Sequence, residues 1–430
     1  MNATSILRHR GIQIGFLAGL CILFLLCAKN RDLLQTGTSQ SGGLLLPKGF
    51  SAIVVADSIG QGRHIAVNSN GDIYVSLARL KNGNGIAAIR NKNVDGKANI
   101  IKYFGSLPGT GIGINNGYLY FSSDTMIMRY KLIPGELLPN PSYEVVARGF
   151  QINRQHGAKS FTFDNEGNLY VNVGAPSNAC QTPDRTLHTP GTNPCPLLQQ
   201  FGGIWKFKAN TINQDQMKDG YRYATGLRNC VALQWNPVAN HLYAVQHGRD
   251  QLHELWPEYY TEDQGVNLPA EEFFSLKDGS DCGWPYTYFD DSKNMKMLAP
   301  EYGGNGKIED PSGKQKPIMA FPAHYAPNDL LFYTGDQFPT LYKNGAFIAF
   351  HGSWNRAPQE QKGYNVVFVP FQKDLPSGKW DVFADHFAGV SKIESPSDAK
   401  HRPCGLAQGP DGSLYVVEDV QGKIWKITYH

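Results

Sequence analysis

The sequence predicts an all-β fold, a six-bladed β-propeller with long inter-strand loops, on three observations. A short motif recurs six times, in which a turn containing Gly or Asn is followed by a strand-like segment with an aliphatic–aromatic pair. Glycine accounts for 46 of the 430 residues and aromatic residues for 12%, which suits a fold with many turns and strands. The sequence offers no convincing long amphipathic helix with capping residues.

The chain begins with a segment that differs from the rest. Basic residues at positions 8–10 precede an uncharged, mostly apolar stretch over residues 11–28, and two further basic residues follow. This pattern is typical of a signal peptide or a membrane anchor, so residues 1–30 predict a periplasmic or other extracytoplasmic protein. The lack of a clear cleavage site favours an uncleaved anchor in the inner membrane. The polar stretch that follows predicts a flexible linker over residues 31–47.

The repeats define the main domain, residues 48–430. The six repeat strands carry the pairs Ile73-Tyr74, Leu119-Tyr120, Leu169-Tyr170, Leu242-Tyr243, Phe347-Ile348 and Leu414-Tyr415. A unit of roughly 40–50 residues holds four short strands in a propeller blade, and stacking the blades buries the apolar face that each exposes. Wider spacing later in the chain predicts long insertions between blades four and five. A pair of β-sandwiches explains the repeats less well.

Loops that precede the innermost strand of each blade meet at the central channel, where propellers carry function. If the repeat strands are the innermost ones, several basic and amide side chains meet there: Arg63, Gln155, His156, Arg228, Asn229 and Arg402, joined by the segment His351–Arg356. The arginines would repel one another, and a bound polyanion would relieve that repulsion. The alternative is that each arginine pairs with a local carboxylate. His156 alone remains open as a loop residue, a metal ligand or a base.

Cysteine spacing and overall charge narrow the class of protein. Cys180 and Cys195 bracket a loop rich in Pro and Thr, which in an exported protein predicts a disulfide; two unpaired thiols are the alternative. No CxxC pair is present, which disfavours a zinc site. Three further cysteines, Cys230, Cys282 and Cys404, have no assigned role. The formal net charge of +3 and the lack of long basic runs argue against nucleic acid as a partner.

Seven motifs occur in one order along the chain: "RQHG", "YATGLRN", "QHGRDQLHEL", "DCGWPYTYFD", "APNDLLFYTGDQFP", "FHGSWNR" and "HRPCGLAQGPDG". In this order they resemble the glucose/sorbosone dehydrogenase family, quinoproteins that use pyrroloquinoline quinone (PQQ). The resemblance is strongest to the sorbosone and pyranose dehydrogenase branch and covers nearly all of residues 48–430. The family is a six-bladed propeller, which agrees with the repeat count.

The resemblance implies that an aldose or a sugar aldehyde is oxidised at its anomeric or aldehyde carbon. Hydride would pass to PQQ, and the electrons would leave to a separate acceptor, a quinone or a cytochrome. By similarity, His156 matches the catalytic base and Arg228 the arginine that polarises the quinone oxygen. The remaining cofactor contacts implied by the resemblance are Asn229, Arg402, Arg63, Arg356 and His351.

The resemblance also implies a Ca²⁺ site formed by two successive backbone carbonyls, those of Gly248 and Arg249. Gln155 stands where the soluble glucose enzyme has an acidic residue, so glucose specificity is not implied. Trp284 and Trp354 could stack on a sugar or on PQQ, or could pack within the blades. Two other functions remain open: a calcium-dependent lactonase and a non-catalytic propeller that binds glycan or protein.

Overall fold

The computed structural model describes residues 34–35, 41–91 and 96–430. The predicted signal or anchor segment, residues 1–30, and most of the predicted linker lie outside the described residues. Among the helices of the described part of the chain, none has the length and apolar character that a membrane span requires.

The propeller prediction is confirmed: the described part of the main domain contains six sheets, each with four antiparallel blade strands. In two of them a two-residue strand, Gln214–Asp215 or Ser280–Asp281, pairs parallel with the outermost blade strand. From the channel outward, blade 1 consists of Gly62–Val67, Ile73–Lys81, Asn84–Arg90 and Ile100–Phe104. Blade 2 consists of Ile112–Asn115, Tyr118–Ser122, Met126–Lys131 and Tyr143–Arg148. Blade 3 consists of Phe161–Phe163, Asn168–Val173, Gly203–Lys208 and Tyr221–Thr225. Blade 4 consists of Ala232–Asn236, His241–Gln246, Glu271–Leu276 and Met319–Phe321. Blade 5 consists of Pro327–Phe332, Ala346–Phe350, Asn365–Val369 and Asp381–Ala384. Blade 6 consists of Pro403–Gln408, Leu414–Glu418, Ile424–Tyr429 and Phe50–Ala56.

Blade 6 joins the two ends of the propeller domain. Its outer strand, Phe50–Ala56, comes from the start of the domain and pairs antiparallel with the last strand, Ile424–Tyr429. The pairing places Phe50 opposite Tyr429, and the Phe50 ring also contacts the rings of Phe338 and Phe383 at centroid distances of 4.8 and 5.0 Å. The ring of blades is thus closed by hydrogen bonds and by aromatic packing.

The repeat strands are the second strands of the blades, so the expectation that they are innermost is wrong. A second strand lies between two neighbours and is largely buried, as in Asn168–Val173, whereas innermost strands such as Phe161–Phe163 partly face the channel. Burial on both faces gives the second strand its strong apolar signal. Because the chain reverses at every strand, the start of a first strand and the end of a second strand lie at the same face. The predicted site residues therefore still meet there.

The tyrosines of the repeat link neighbouring blades. The hydroxyls of Tyr74, Tyr120 and Tyr243 each donate a hydrogen bond to a backbone carbonyl in the loop between the third and fourth strands of the next blade. A buried tyrosine needs such a partner for its hydroxyl. The tyrosine of the repeat thus indicates a contact between neighbouring blades, in addition to a buried strand.

The long insertions lie inside blades, not between blades four and five as the spacing predicted. Residues 247–270, between the second and third strands of blade 4, contain the helices Leu252–Leu255 and Glu262–Asn267. Residues 277–318, between its third and fourth strands, contain a hairpin of Thr287–Asp290 and Met295–Leu298. The remaining short elements are the strands Leu34–Gln35, Leu46–Pro47, Gln214–Asp215, Ser280–Asp281, Phe371–Gln372 and Leu375–Pro376, and the 3₁₀ helices Pro196–Gln199, Pro300–Tyr302, Thr340–Tyr342 and Pro396–Asp398.

The described end of the predicted linker packs onto the propeller. Leu44 and Leu46 are buried in a cluster with Phe383 and Trp425, and the indole Nε1 of Trp425 donates to the carbonyl of Gly42 at 3.0 Å. The packed domain therefore includes residues before position 48.

Candidate active site

A cavity of about 410 Å³ opens where the first strands begin and the second strands end. The sequence-predicted residues that line it are Arg63, Gln155, His156, Arg228, Asn229, Gly248, His351, Trp354 and Arg402. They come from loops of blades 1, 3, 4, 5 and 6, so the fold brings together side chains that are far apart in the sequence. We call this cavity the mouth pocket.

His156 is held with one ring nitrogen occupied and the other free. Its Nδ1 lies 2.6 Å from the carbonyl oxygen of Ala175, which can only accept, so Nδ1 carries the proton. Nε2 then carries a lone pair, and no hydrogen-bond partner for it is found among the described residues. Burial, together with the nearby Arg228 charge, lowers the pKa of His156 well below its ordinary value. The imidazole is therefore neutral at neutral pH and able to accept a proton.

Arg228 lies deep in the mouth pocket with part of its donor capacity unused. Its Nη1 donates to the carbonyl of Gly248 at 2.8 Å, and its Nη2 donates to Asp250 Oδ2 at 2.8 Å. Its Nε is buried and lacks an acceptor in the part of the chain that the structure describes. Asn229 lies beside it, and the Asn229 Oδ1 accepts from Asn172 Nδ2 at 3.1 Å. A buried donor without an acceptor, on a residue that lines a cavity, suits a ligand oxygen.

Asp250 accepts hydrogen bonds from three side chains of the mouth pocket, and the sequence did not predict this role. Its Oδ2 accepts from both Arg228 and Arg185 at 2.8 Å, and its Oδ1 accepts from Asn355 Nδ2 at 2.9 Å. Burial alone would raise the pKa of Asp250, but the two arginines hold it well below its usual range. Arg185 was also missed, although it lines the mouth pocket. The only sequence signal for Asp250 is its place in the motif "QHGRD".

Asp419 pairs with two of the predicted residues that line the mouth pocket. Its Oδ1 lies 2.8 Å from His351 Nε2, and its Oδ2 accepts from Arg63 Nη1 at 3.0 Å. Arg63 also donates to the Sγ of Cys404 at 3.2 Å. The ligand atoms of His351, Cys404 and Asp419 lie within 4.8 Å of one another, but the guanidinium between them disfavours a cation.

Arg402 faces the mouth pocket without a carboxylate partner among the described residues. Its Nε and Nη2 donate to the carbonyls of His351 and Gly352 at 3.0 and 2.8 Å, and its guanidinium lies 5.4 Å from the ring centroid of Tyr364. The expectation that every arginine pairs with a local carboxylate thus holds for Arg63 and Arg228. It fails, among the described residues, for Arg402 and for Arg356, whose guanidinium donates to carbonyls. The pocket carries an excess of positive charge that suits an anion.

Three predicted residues do not reach the mouth pocket. Arg356 is buried, and its guanidinium donates mainly to backbone carbonyls, including that of Val266 at 2.9 Å, so it braces a loop. Trp284 is buried against blade 3, and its Nε1 donates to the carbonyl of Asn178. The Arg249 side chain turns away to an ion pair with Glu301. The signals for these residues were chain position and residue type, which do not fix the direction of a side chain.

One of the two backbone carbonyls predicted to bind calcium already has a hydrogen-bond donor in the protein. The Gly248 carbonyl already accepts from the Arg228 guanidinium, which would repel a dication. Arg249 does not line the mouth pocket, whereas the carboxyl of Glu271 does. Both Glu271 oxygens accept from backbone N–H groups, of Gly248 at 2.7 Å and of Ala326 at 3.0 Å, and burial raises the pKa of Glu271 to about 8.

Two side chains at the rim differ in their freedom. Gln155 is held by a hydrogen bond from its Nε2 to Asp184 Oδ2 at 2.9 Å. Trp354 leaves 56% of its surface exposed and lines the mouth pocket, so its indole face is available to a ligand. A disulfide joins Cys180 and Cys195, and Cys230, Cys282 and Cys404 are buried free thiols.

Comparison with known sequences shows a family match over most of the chain. The model of the TrAA12-like family matches residues 44–430. An uncharacterised protein of Borreliella burgdorferi is 29% identical over 208 residues, 48% of each chain. A pyrroloquinoline quinone-dependent pyranose dehydrogenase of Coprinopsis cinerea is 28% identical over 233 residues, which is 47% of this chain and 30% of that protein. The chain thus spans less than half the length of these curated relatives.

Solved structures share the fold. The PQQ domain of pyranose dehydrogenase from Coprinopsis cinerea, in its holo form, matches with a TM-score of 0.70 and 19% identity, over 90% of this chain and 97% of that chain. A calcium structure of a Trichoderma reesei protein of carbohydrate-active enzyme family AA12 matches with a TM-score of 0.73 and 18% identity, over 92% and 99%. The soluble aldose sugar dehydrogenase of Escherichia coli matches with a TM-score of 0.57 and 16% identity, over 89% and 100%. These likenesses establish the propeller architecture.

Proposed function

The chain belongs to the TrAA12-like family, and from this premise we propose that it is a PQQ-dependent oxidoreductase that oxidises an aldose or a sugar aldehyde. One observation carries the proposal. A neutral histidine with a free Nε2, His156, shares a cavity with arginines whose positive charge and donors are only partly satisfied. A base and an anion-binding wall in one pocket are what this reaction requires.

PQQ carries three carboxylates and an ortho-quinone, and the donors of the mouth pocket fit such a group. The buried Arg228 Nε lacks an acceptor among the described residues, and Arg402 has no carboxylate partner there. Gly174 lets His156 and Asn229 pack closely together, because a Cβ there would lie 2.6 Å from His156 Cβ and 2.8 Å from Asn229 Oδ1. Arg228, Asn229 and Arg402, with Arg63 and His351, would hold the cofactor. When bound, PQQ would supply the acceptor for hydride from the sugar carbon.

The chain's own residues would move the proton and stabilise charge. His156 Nε2 would take the proton of the anomeric hydroxyl as hydride leaves the carbon that bears it, giving a lactone. From the hydrate of an aldehyde, the same loss of a hydroxyl proton and a hydride would give an acid. Arg228 would donate to a developing oxyanion, and its burial strengthens that interaction. The Ala175 carbonyl would stabilise the imidazolium that forms, since it already accepts from Nδ1.

Calcium stays a prediction and contributes no step here, because the Gly248 carbonyl is taken by Arg228. Its test is to measure PQQ affinity by absorbance titration in buffer with Ca²⁺ and in buffer with chelator. Export, an inner-membrane anchor through residues 1–30, and transfer of electrons to a separate quinone or cytochrome also belong to the proposal. Fractionation of cells that express the full chain tests the anchor.

A calcium-dependent lactonase is a second candidate, because acids and amides also line the mouth pocket. The side chains of that kind are Gln155, Asn229, Asp250, Glu271, Asn328 and Asn355. Asp250 is neutralised by two arginines and Glu271 accepts from backbone N–H groups, so neither carboxylate is free for a dication. The dehydrogenase therefore fits these contacts better than the lactonase.

One assay separates the candidates. The purified protein is incubated with PQQ and Ca²⁺, and an artificial electron-acceptor dye is followed with a panel of aldoses, sugar aldehydes and lactones. Dye bleaching that needs both PQQ and a sugar supports the dehydrogenase. Lactone hydrolysis without PQQ supports the second candidate. No bleaching, together with no spectral change on adding PQQ, would contradict the proposal and favour a binding propeller.

A further inference from the structure

The disulfide-closed loop, residues 180–195, reaches into the mouth pocket. Its ends are joined by the Cys180–Cys195 disulfide and by a hydrogen bond from the Thr192 N–H to the Cys180 carbonyl at 2.9 Å. Inside it, Gln181 Nε2 donates to the carbonyls of Thr186 and Thr189 at 3.1 and 2.8 Å. The loop is thus cross-linked at its base and across its middle, and such a loop holds its residues in fixed positions.

Two successive residues of this loop hold the carboxamide of Gln155, the residue before His156. Asp184 Oδ2 accepts from Gln155 Nε2 at 2.9 Å, and Arg185 Nη2 donates to Gln155 Oε1 at 3.4 Å. Asp184 is itself fixed, because its Oδ1 accepts from the Ser177 hydroxyl at 2.6 Å. Both polar atoms of the Gln155 carboxamide therefore have hydrogen-bond partners within the protein.

The same loop also reaches Arg228. Arg185 Nη2 donates to Asp250 Oδ2 at 2.8 Å, and Arg228 Nη2 donates to the same oxygen at 2.8 Å. Arg185 Nη1 donates to Gln251 Oε1 at 2.7 Å. One arginine thus contacts both the neighbour of His156 and the carboxylate that holds Arg228.

His156 needs such support because its backbone lies in the left-handed region, with φ of 56°. A non-glycine residue keeps that conformation only when its surroundings fix it. The contacts so far described are those of the Ala175 carbonyl to its ring and of the loop to its neighbour.

We propose that Asp184 and Arg185 are positioning residues, which hold His156 through Gln155 and Arg228 through Asp250 in the geometry for sugar oxidation. The inference rests on the proposed function for its kinetic consequence and on the contacts alone for its structural one. It also changes the role of Gln155: the side chain serves as the attachment point of the loop, and its contacts leave it less available to select the substrate.

The structural consequence is tested in protein without PQQ, by following ¹³C-labelled histidine through a pH titration with the His156 signal assigned from His156→Ala. The charged and titratable groups that face His156 are Arg228, His247 and Asp250. Arg185→Met removes one of the two cations that neutralise Asp250, so the Asp250 charge should raise the pKa of His156. Arg185→Lys keeps the charge and should leave that pKa near its wild-type position.

The kinetic consequence is tested by dye bleaching with PQQ. Arg185→Lys and Arg185→Met should each lower kcat by roughly 10-fold, with PQQ affinity changed much less, because misplacement of the base costs rate more than binding. Leu187→Ala in the same loop, where 53% of the side chain is exposed, is the matched control and should behave as wild type. The double variant Cys180→Ser with Cys195→Ser should lower kcat about as much as Arg185→Met does. Combining all three changes should lower kcat little further.

Each result of these two experiments supports or overturns a stated part of the proposal. An unchanged His156 pKa in Arg185→Met, or an equal shift in Leu187→Ala, overturns the charge link through Asp250. Wild-type turnover in Arg185→Lys overturns the positioning role, and that variant decides alone if Arg185→Met does not fold. If wild-type protein bleaches no dye, the proposed function fails, while the titration still tests the contacts.

Discussion

His156 differs from the other histidines of the mouth pocket in which of its ring nitrogens is anchored. His247 Nε2 lies 2.7 Å from the carbonyl of Pro327, His324 Nε2 lies 3.1 Å from that of Gly265, and His351 Nε2 is bound to Asp419. In His156 the anchored atom is Nδ1 instead. The anchoring carbonyl fixes the tautomer and leaves Nε2 basic, as in other histidine bases.

Replacing His156 by Ala should lower kcat by about 10²–10⁴-fold, the usual contribution of a general base. PQQ binding should remain close to that of wild type, because the arginines that would hold the cofactor are unchanged. Steady-state dye bleaching measures kcat, and absorbance titration measures PQQ binding. His241→Ala, on the second strand of blade 4, is the control. Near-normal turnover in His156→Ala would remove His156 from the role of base.

The pH dependence of kcat/KM should show the lowered pKa of His156. The base must be unprotonated, and burial together with the Arg228 charge lowers the pKa of His156. Protonation, and with it the loss of activity, should therefore occur at a pH below the ordinary histidine value of about 6.5 as the solution is acidified. A pH profile of kcat/KM measures this. An acid limb at or above about 6.5 would contradict this prediction.

Among single residues, those placed by their position in a blade could be predicted from sequence. Arg63, His156, Arg228 and Arg402 precede or begin first strands, and that position brings them to one cavity. The role of Asp250 could not be predicted, because its contact with Arg185 joins loops that are far apart in the sequence. Sequence position does not determine which loops lie next to one another.

At the scale of elements, the repeat motif gave the correct number of blades but the wrong position of the repeat strand within each blade. Its strength follows burial, and the second strands are the most uniformly buried, as in Ala346–Phe350. Innermost strands such as Ile112–Asn115 face the channel in part and have a weaker apolar pattern. Sequence periodicity therefore counts the blades but does not show which strand lines the channel.

The tyrosine of the repeat should contribute to stability through its hydroxyl. In Tyr74→Phe, the Leu137 carbonyl loses its donor at 2.9 Å in a buried site. Leaving such a carbonyl unsatisfied should lower the free energy of unfolding by about 1–3 kcal/mol. Urea unfolding measures the change, with Tyr143→Phe, whose residue is 43% exposed, as the control. Equal stability of the two variants would show that the hydroxyl contact between blades contributes nothing.

At the scale of the whole molecule, the propeller is a ring that depends on one closing strand. Phe50–Ala56 supplies the outer strand of blade 6, while the other three strands of that blade come from residues 403–429. Each blade buries its faces against its neighbours, so a gap at one blade exposes two of them. The contacts of the first strand therefore affect the stability of every blade, including those that carry the mouth pocket.

Phe50→Ala should destabilise the entire ring rather than one blade. The Phe50 ring contacts those of Phe338, Phe383 and Tyr429 at centroid distances of 4.8, 5.0 and 5.0 Å, so its removal opens a space between blades 5 and 6. Because Phe50 is only partly buried, the loss should fall toward the lower end of the roughly 3–5 kcal/mol that Phe→Ala costs in cores.

Thermal unfolding followed by far-UV circular dichroism and by tryptophan fluorescence measures this loss. If the strand closes the ring, both signals should fall in one transition at a lower temperature, because the blades unfold together. Leu375→Ala, in an exposed hairpin of blade 5, is the matched control and should keep the wild-type midpoint. An early fluorescence change with most of the strand signal retained would instead mean that blade 6 frays alone and that the ring persists without its closing strand.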